Sequence, residues 1–97
     1  MIKVFVDRDL EDLIPGFMAN RKRDIEKIDN ALAVDDFETI RIVGHSMKGS
    51  GGGYGFDYVS ELGSRIEQAA MTRDVSSIRS ANEDLRAYLP QIEVVFR

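Results

Sequence analysis

The chain has no cysteine and no tryptophan, a single histidine and two prolines in 97 residues. Without cysteine, disulfide frameworks, thiolate nucleophiles and sulfur-rich metal sites are excluded. One histidine with no cysteine also makes a zinc site untenable, because zinc needs several nitrogen or sulfur ligands. No apolar run approaches the roughly 20 residues needed to span a bilayer. The opening MIKVFVDRDLED is too acidic, and its apolar part too short, for a secretory leader. A basic surplus is missing as well: 13 Lys and Arg against 17 Asp and Glu leave a formal charge of -4. A nucleic-acid binder shows a basic footprint, so that class is disfavoured. The expectation is one cytoplasmic domain over residues 1–97 with no membrane segment and no bound cofactor or metal.

Glycine, by contrast, is concentrated. Of the 8 glycines, six fall between Gly44 and Gly55, within FETIRIVGHSMKGSGGGYGF, which also holds the lone His45. If Phe37 to about Gly52 is one helix, Phe37, Ile40, Val43 and Met47 form an apolar stripe facing a core. Arg41, His45, Lys48, Gly49 and Gly52 then share a different stripe, because residues three, four and seven apart are helix-surface neighbours. The histidine is thus placed outward, beside two cations. Imidazole titrates near physiological pH, about 6.5 unperturbed, and its unprotonated nitrogen is a nucleophile. Lys48 and Arg41 are candidates to neutralise a phosphoryl group through charge-assisted hydrogen bonds. Each glycine in a helix costs about 1 kcal/mol relative to alanine. Their density therefore indicates a packing or an access requirement, and Gly49 in particular leaves the ring open to another protein.

Around this stretch the pattern predicts an all-α, up-down four-helix bundle with a short extra N-terminal helix or arm. Ile2 to Val6 is β-leaning, and Asp9 is a candidate N-cap for a short helix that Pro15-Gly16 interrupts. Phe17, Met18, Ile25, Ile28 and Leu32 give the first long helix, ending near Val34, with Arg21-Lys22-Arg23 read as a solvated face. Asp35, with Glu38, is read as the N-cap of the His45 helix. That helix is expected to end among Gly51 to Gly53, where glycine supplies a left-handed turn. Residues 57–71 form the next helix, with Val59, Leu62, Ile66, Ala69 and Ala70 inward. Asp74 caps the last helix, with Val75, Ile78, Leu85 and Leu89 inward. At Pro90 the helix either kinks and continues, the reading slightly favoured, or stops so that Gln91 to Phe96 runs extended near Ile2 to Val6.

The run His45-Ser46-Met47-Lys48-Gly49-Ser50, with Gly55 further on, resembles the HxxKGS…G signature of histidine phosphotransfer (HPt) domains. The similarity continues into both flanks, from Asp36-Phe37-Glu38 before the histidine to Ala69-Ala70 and Asp74 after it. The triple glycine Gly51 to Gly53 departs from the family, which often has alanine or other small residues there. The resemblance implies a phosphocarrier without an ATP site, not a self-sufficient enzyme. His45 would accept a phosphoryl group from the aspartate of a response-regulator receiver domain, or of a hybrid histidine kinase, and pass it to another receiver. Lys48 and Arg41 would steady the phosphate, Gly49 and Gly52 would clear the docking face, and Ser50, counted on that docking surface, would bond the imidazole or the helix backbone. The partner would supply magnesium, and a monomer is expected. The competing reading is a helical module that docks a receiver or kinase without carrying phosphate. A P-loop fails because Gly49 is followed by Ser50-Gly51, not by a lysine and a hydroxyl residue. A Ser-His-Asp hydrolase lacks the strand-turn scaffold usual for its nucleophile.

Overall fold

The computed structural model describes all of Met1–Arg97. Four helices make up the body: α1 Ile14–Ala33, α2 Phe37–Gly53, α3 Asp57–Met71 and α4 Val75–Tyr88. The connections Val34–Asp36, Tyr54–Phe56 and Thr72–Asp74 are short, so successive helices run antiparallel. Helix α2 packs most extensively on α3, α3 on α4, and α1 closes the bundle against α2 and α4. The all-α four-helix bundle predicted from the sequence is therefore the observed fold. No helix is long and apolar enough to cross a membrane.

The core follows the apolar stripes. Ile40, Val43 and Met47 of α2, Val59, Leu62 and Ile66 of α3, and Ile78 and Leu85 of α4 are buried together with Phe17, Ile25 and Ile28 of α1. Phe56 is wholly buried and stacks at 4.7 Å on Phe17, so it plugs the end of the core beneath the α2–α3 turn. Val75, expected inward, is only half-buried.

At the termini the second of the two readings left open at Pro90 is the observed one, and the favoured helical continuation is corrected. Ile2–Val6 is a strand, β1, and Ile92–Phe96 is a second strand, β2, not the continuation of a helix. Pro90 stops α4 within one short 3-10 turn, Leu89–Gln91, because proline withholds a donor. The β-branched Ile92, Val94 and Val95 that follow then pair in parallel with β1, in the register Ile2↔Ile92 to Val6↔Phe96. Val4 and Val6 face the bundle and are buried.

Several caps also differ from expectation. Asp7, not Asp9, caps a 3-10 helix, Arg8–Leu13, its side chain accepting from the Asp9 N–H at 2.9 Å. That helix runs directly into α1, and Pro15 sits in the first turn without interrupting it. The cap of α2 is Asp36, which accepts from the Thr39 N–H at 3.1 Å and the Thr39 hydroxyl at 2.6 Å. Asp35 instead takes the turn conformation before it, with φ of 56°. Helix α2 does not end on a left-handed glycine at 51–53: it runs through Gly53, and the positive φ, 88°, falls at Gly55.

The basic run is not all solvated. Arg21 is buried: its Nε donates to Asp24 at 2.8 Å, its Nη1 donates to Ser50 Oγ at 2.8 Å, and its guanidinium lies over the Phe17 ring. Burial holds the Asp24 carboxyl above its ordinary range even against the neighbouring Arg21 charge.

Candidate functional site

The glycines of α2 divide into two sets by what surrounds them. A Cβ at Gly44 would lie 2.7 Å from the Glu67 nitrogen and 2.9 Å from the Gly63 carbonyl. One at Gly63 would lie 2.5 Å from the Lys48 nitrogen, and one at Gly51 would lie 2.6 Å from the Ser60 nitrogen. So α2 and α3 touch backbone to backbone along their length, which only glycine permits at these crossings. Ser60 fastens the contact by donating from its hydroxyl to the Lys48 carbonyl at 2.6 Å. At Gly49 and Gly53, nothing lies within 4 Å of an added Cβ, and at Gly52 only the Ser60 hydroxyl does, at 3.9 Å. The packing requirement raised by the sequence is therefore met at Gly44 and Gly51, while Gly49, Gly52 and Gly53 stand open.

This close approach brings Glu67 of α3 to His45 of α2. The Glu67 Oε2 lies 2.7 Å from His45 Nδ1. Glu67 is mostly covered, with its side chain 15% exposed, whereas the His45 ring is 70% exposed. An ionised carboxylate only accepts hydrogen bonds, so Nδ1 is the protonated nitrogen and Nε2 carries the lone pair into solvent. The second carboxylate oxygen stands 3.7 Å from Lys48 Nζ, a loose pair on a half-exposed side chain. Such a pair is weak and free to exchange for a better anion.

The remaining site residues fall around this centre. Arg41 is held by Glu38, one turn before it, through two hydrogen bonds of 3.1 and 2.6 Å. That bonding, with a further contribution from the Glu67 charge, raises its already high pKa. Ser50 does not reach the imidazole: its hydroxyl donates to the Ser46 carbonyl at 3.0 Å and accepts from Arg21. Of the two bonding roles considered for Ser50, the backbone one is observed. No three carboxylate or histidine groups converge where they could hold a metal ion. Ile42, one turn before His45, is an exposed apolar residue on the same side of the helix.

Glu67 is absent from the sequence-derived site. It lies 22 residues from His45 in the chain and on another helix, so no local spacing announces the contact. The available signal was its position one helical turn after Gly63, the glycine that lets the two helices meet.

Arranged so, the site presents a fixed, solvent-facing imidazole nitrogen, a carboxylate behind the ring to balance positive charge, and a cation beside it. The Hpt domain family model matches residues 12–94, and the chain belongs to this family. It is thereby a histidine phosphotransfer module of a phosphorelay, of a class that carries phosphoryl groups between receiver or kinase partners. No curated protein and no solved structure matches the chain.

Proposed function

We propose that His45 is the phosphoryl carrier, accepting from an aspartyl phosphate on one receiver domain and donating to the aspartate of another. The observation that carries this reading is the 2.7 Å contact of Glu67 with Nδ1, which leaves the opposite ring nitrogen exposed. In the forward step the Nε2 lone pair forms the new bond to phosphorus as the bond to the aspartate oxygen breaks. The aspartate departs as a carboxylate, and the ring becomes a phosphoryl-imidazolium that keeps its Nδ1 proton. Glu67, already bonded to that proton, stabilises the positive charge. Lys48 exchanges its loose contact with Glu67 for the phosphoryl oxygens, and Arg41 adds a second positive field from the turn before. Phosphoryl transfer depends mainly on positioning and charge stabilisation. The site supplies both from two helices locked by their glycines.

Gly49, Gly52 and Gly53 form the flat flank of the ring on which a receiver rests, and Ser50 supports this flank from beneath through Arg21. The chain works as a monomer in the cytoplasm in this reading. The rival, a docking module without phosphate, leaves the His45–Glu67–Lys48 arrangement without a purpose. Transfer of label from a phosphorylated receiver to the wild-type chain but not to His45→Gln tests the choice.

A further inference from the structure

The last turn of α2, Gly49 to Gly53, is glycine at four of its five positions. Glycine is the poorest helix former after proline, because it loses the most backbone freedom on ordering. Local propensity therefore does not hold this turn. Helix α3 adds little. Gly51 meets the Ser60 backbone with no side chain of its own, and Gly49 and Gly53 face open space. The Ser60 hydroxyl is committed to the Lys48 carbonyl, one residue before the turn begins.

Only Ser50 in this turn carries a side chain, and α1 takes hold of it. Arg21 Nη1 donates to Ser50 Oγ at 2.8 Å, the one side-chain hydrogen bond that joins α1 to α2. The hydroxyl in turn donates to the Ser46 carbonyl at 3.0 Å. Asp24 fixes the guanidinium from its other side, accepting from Nε at 2.8 Å. One turn earlier on α1, the Phe17 ring lies 4.9 Å from that of Tyr54 and 4.7 Å from that of Phe56. Arg21 and Phe17 are four residues apart, as are Ser50 and Tyr54. The antiparallel helices thus set Arg21 against Ser50 and Phe17 against Tyr54, and α1 brackets the glycine turn at both ends.

Arg21 and Asp24 are only 6% and 8% exposed. Apolar residues of similar size commonly replace such a buried pair with no loss of stability. Stability alone therefore does not account for the pair. What an apolar pair would not do is bond Ser50.

We propose that Arg21 is a positioning residue for phosphoryl transfer. Through Ser50 it keeps the glycine turn helical before a receiver arrives, so that the flank beside His45 is already flat. Asp24 orients the guanidinium for that bond. The proposal rests on the reading of Gly49, Gly52 and Gly53 as the docking flank. A binding surface that is formed in only a fraction of molecules weakens apparent affinity by that fraction. The reacting groups are held separately, on the α3 side, through Gly44, Gly63 and the Ser60 bond to Lys48. Loss of the Arg21–Ser50 bond therefore weakens receiver docking and spares the transfer step itself.

Two variants of the full chain break this bond in different ways. Ser50→Ala removes the acceptor. Arg21→Met with Asp24→Leu removes the donor and leaves no buried charge alone. The Tyr54 and Phe56 N–H groups bond back to Ser50 and Gly51. In both variants their exchange in the free chain, followed by NMR, is expected to quicken about threefold to tenfold, with Val43 and Met47 protected as in the wild type. With a phosphorylated receiver that labels the wild type, the receiver concentration giving half-maximal rate rises by about the same factor. The rate at saturating receiver stays within about twofold of wild type. Ser50→Thr keeps the hydroxyl and is expected to restore both readouts. Unchanged exchange at Tyr54 and Phe56 overturns the proposal. So does a slower saturated rate at an unchanged half-maximal concentration. Exchange that quickens equally at Val43 and Met47 overturns it in favour of a merely structural role. A wild-type chain that takes no label from any receiver contradicts the reading of His45 instead, and exchange then still decides whether Arg21 holds the turn.

Discussion

Glu67 Oε2 sits 2.7 Å from His45 Nδ1, and this one contact fixes which nitrogen of the only histidine faces solvent. The tautomer, the ring orientation and the balance of charge on a phosphorylated ring all depend on it. A hydrogen bond to a charged group contributes about 1.5–3 kcal/mol, and about 1.4 kcal/mol is tenfold in rate. Glu67→Ala is therefore expected to slow phosphoryl acceptance roughly tenfold to a hundredfold with an unchanged circular dichroism spectrum. Single-turnover transfer from a phosphorylated receiver measures it, and a rate within twofold of wild type would remove Glu67 from the mechanism.

The glycines of α2 should answer alanine substitution with opposite signs. Gly44→Ala and Gly51→Ala force a methyl into backbone at 2.7 and 2.6 Å, and overpacking of this kind costs about 1–3 kcal/mol. Gly49→Ala and Gly53→Ala meet nothing within 4 Å, so they gain helix propensity and stabilise by about 0.5–1 kcal/mol. Urea denaturation of the four variants checks the split. Gly49→Ala is further expected to slow transfer, because its methyl lies on the proposed docking flank.

Arg21 tests the buried network under the site. Arg21→Ala leaves the Asp24 carboxylate buried without its partner, which costs about 3–5 kcal/mol. Replacing both residues by apolar ones of similar size, Arg21→Met with Asp24→Leu, should recover most of that loss. The single variant should also show stability that falls as pH rises. Asp24 has a folded pKa above its ordinary 3.8, so its contribution is full below that value and is lost as pH climbs through the folded one. Thermal melts across the acid range follow both effects.

The caps of α2 and α4 predict the opposite trend. Hydroxyl donation from Thr39 and Ser77, with the backbone N–H groups of the same residues, lowers the pKa of Asp36 and Asp74 below 3.8. A lowered folded pKa gives stability that is present above 3.8 and lost as pH falls through the folded value. Asp36→Asn and Asp74→Asn together should flatten the acid limb of the stability curve. An unchanged limb would place the acid sensitivity elsewhere.

The helices and the stripe bearing His45 and Lys48 were legible because both rest on local periodicity, and α3 has the predicted ends. What the sequence left open or missed depends on distant partners. The β2 strand needs β1 from the other end of the chain, and Val94 and Val95 commit to it only because Pro90 has already stopped α4. Arg21 reads as a surface cation until Ser50, 29 residues on, is seen to accept from it. The choice between Asp35 and Asp36 as cap turned on a single-residue shift, decided by which aspartate adopts the positive φ. The division of the glycines into packing and open positions required the path of α3 beside α2.

The most direct test of the account is acid-labile, base-stable phosphate on His45. Receiver domains phosphorylated on aspartate are mixed with the wild-type chain, His45→Gln and Lys48→Ala, and the label on this chain is followed with time. The account predicts label on the wild type, none on His45→Gln, and slower labelling of Lys48→Ala, all three with the same helical signal. Label on His45→Gln, or a folded wild-type chain that takes no label from any receiver it binds, would contradict it.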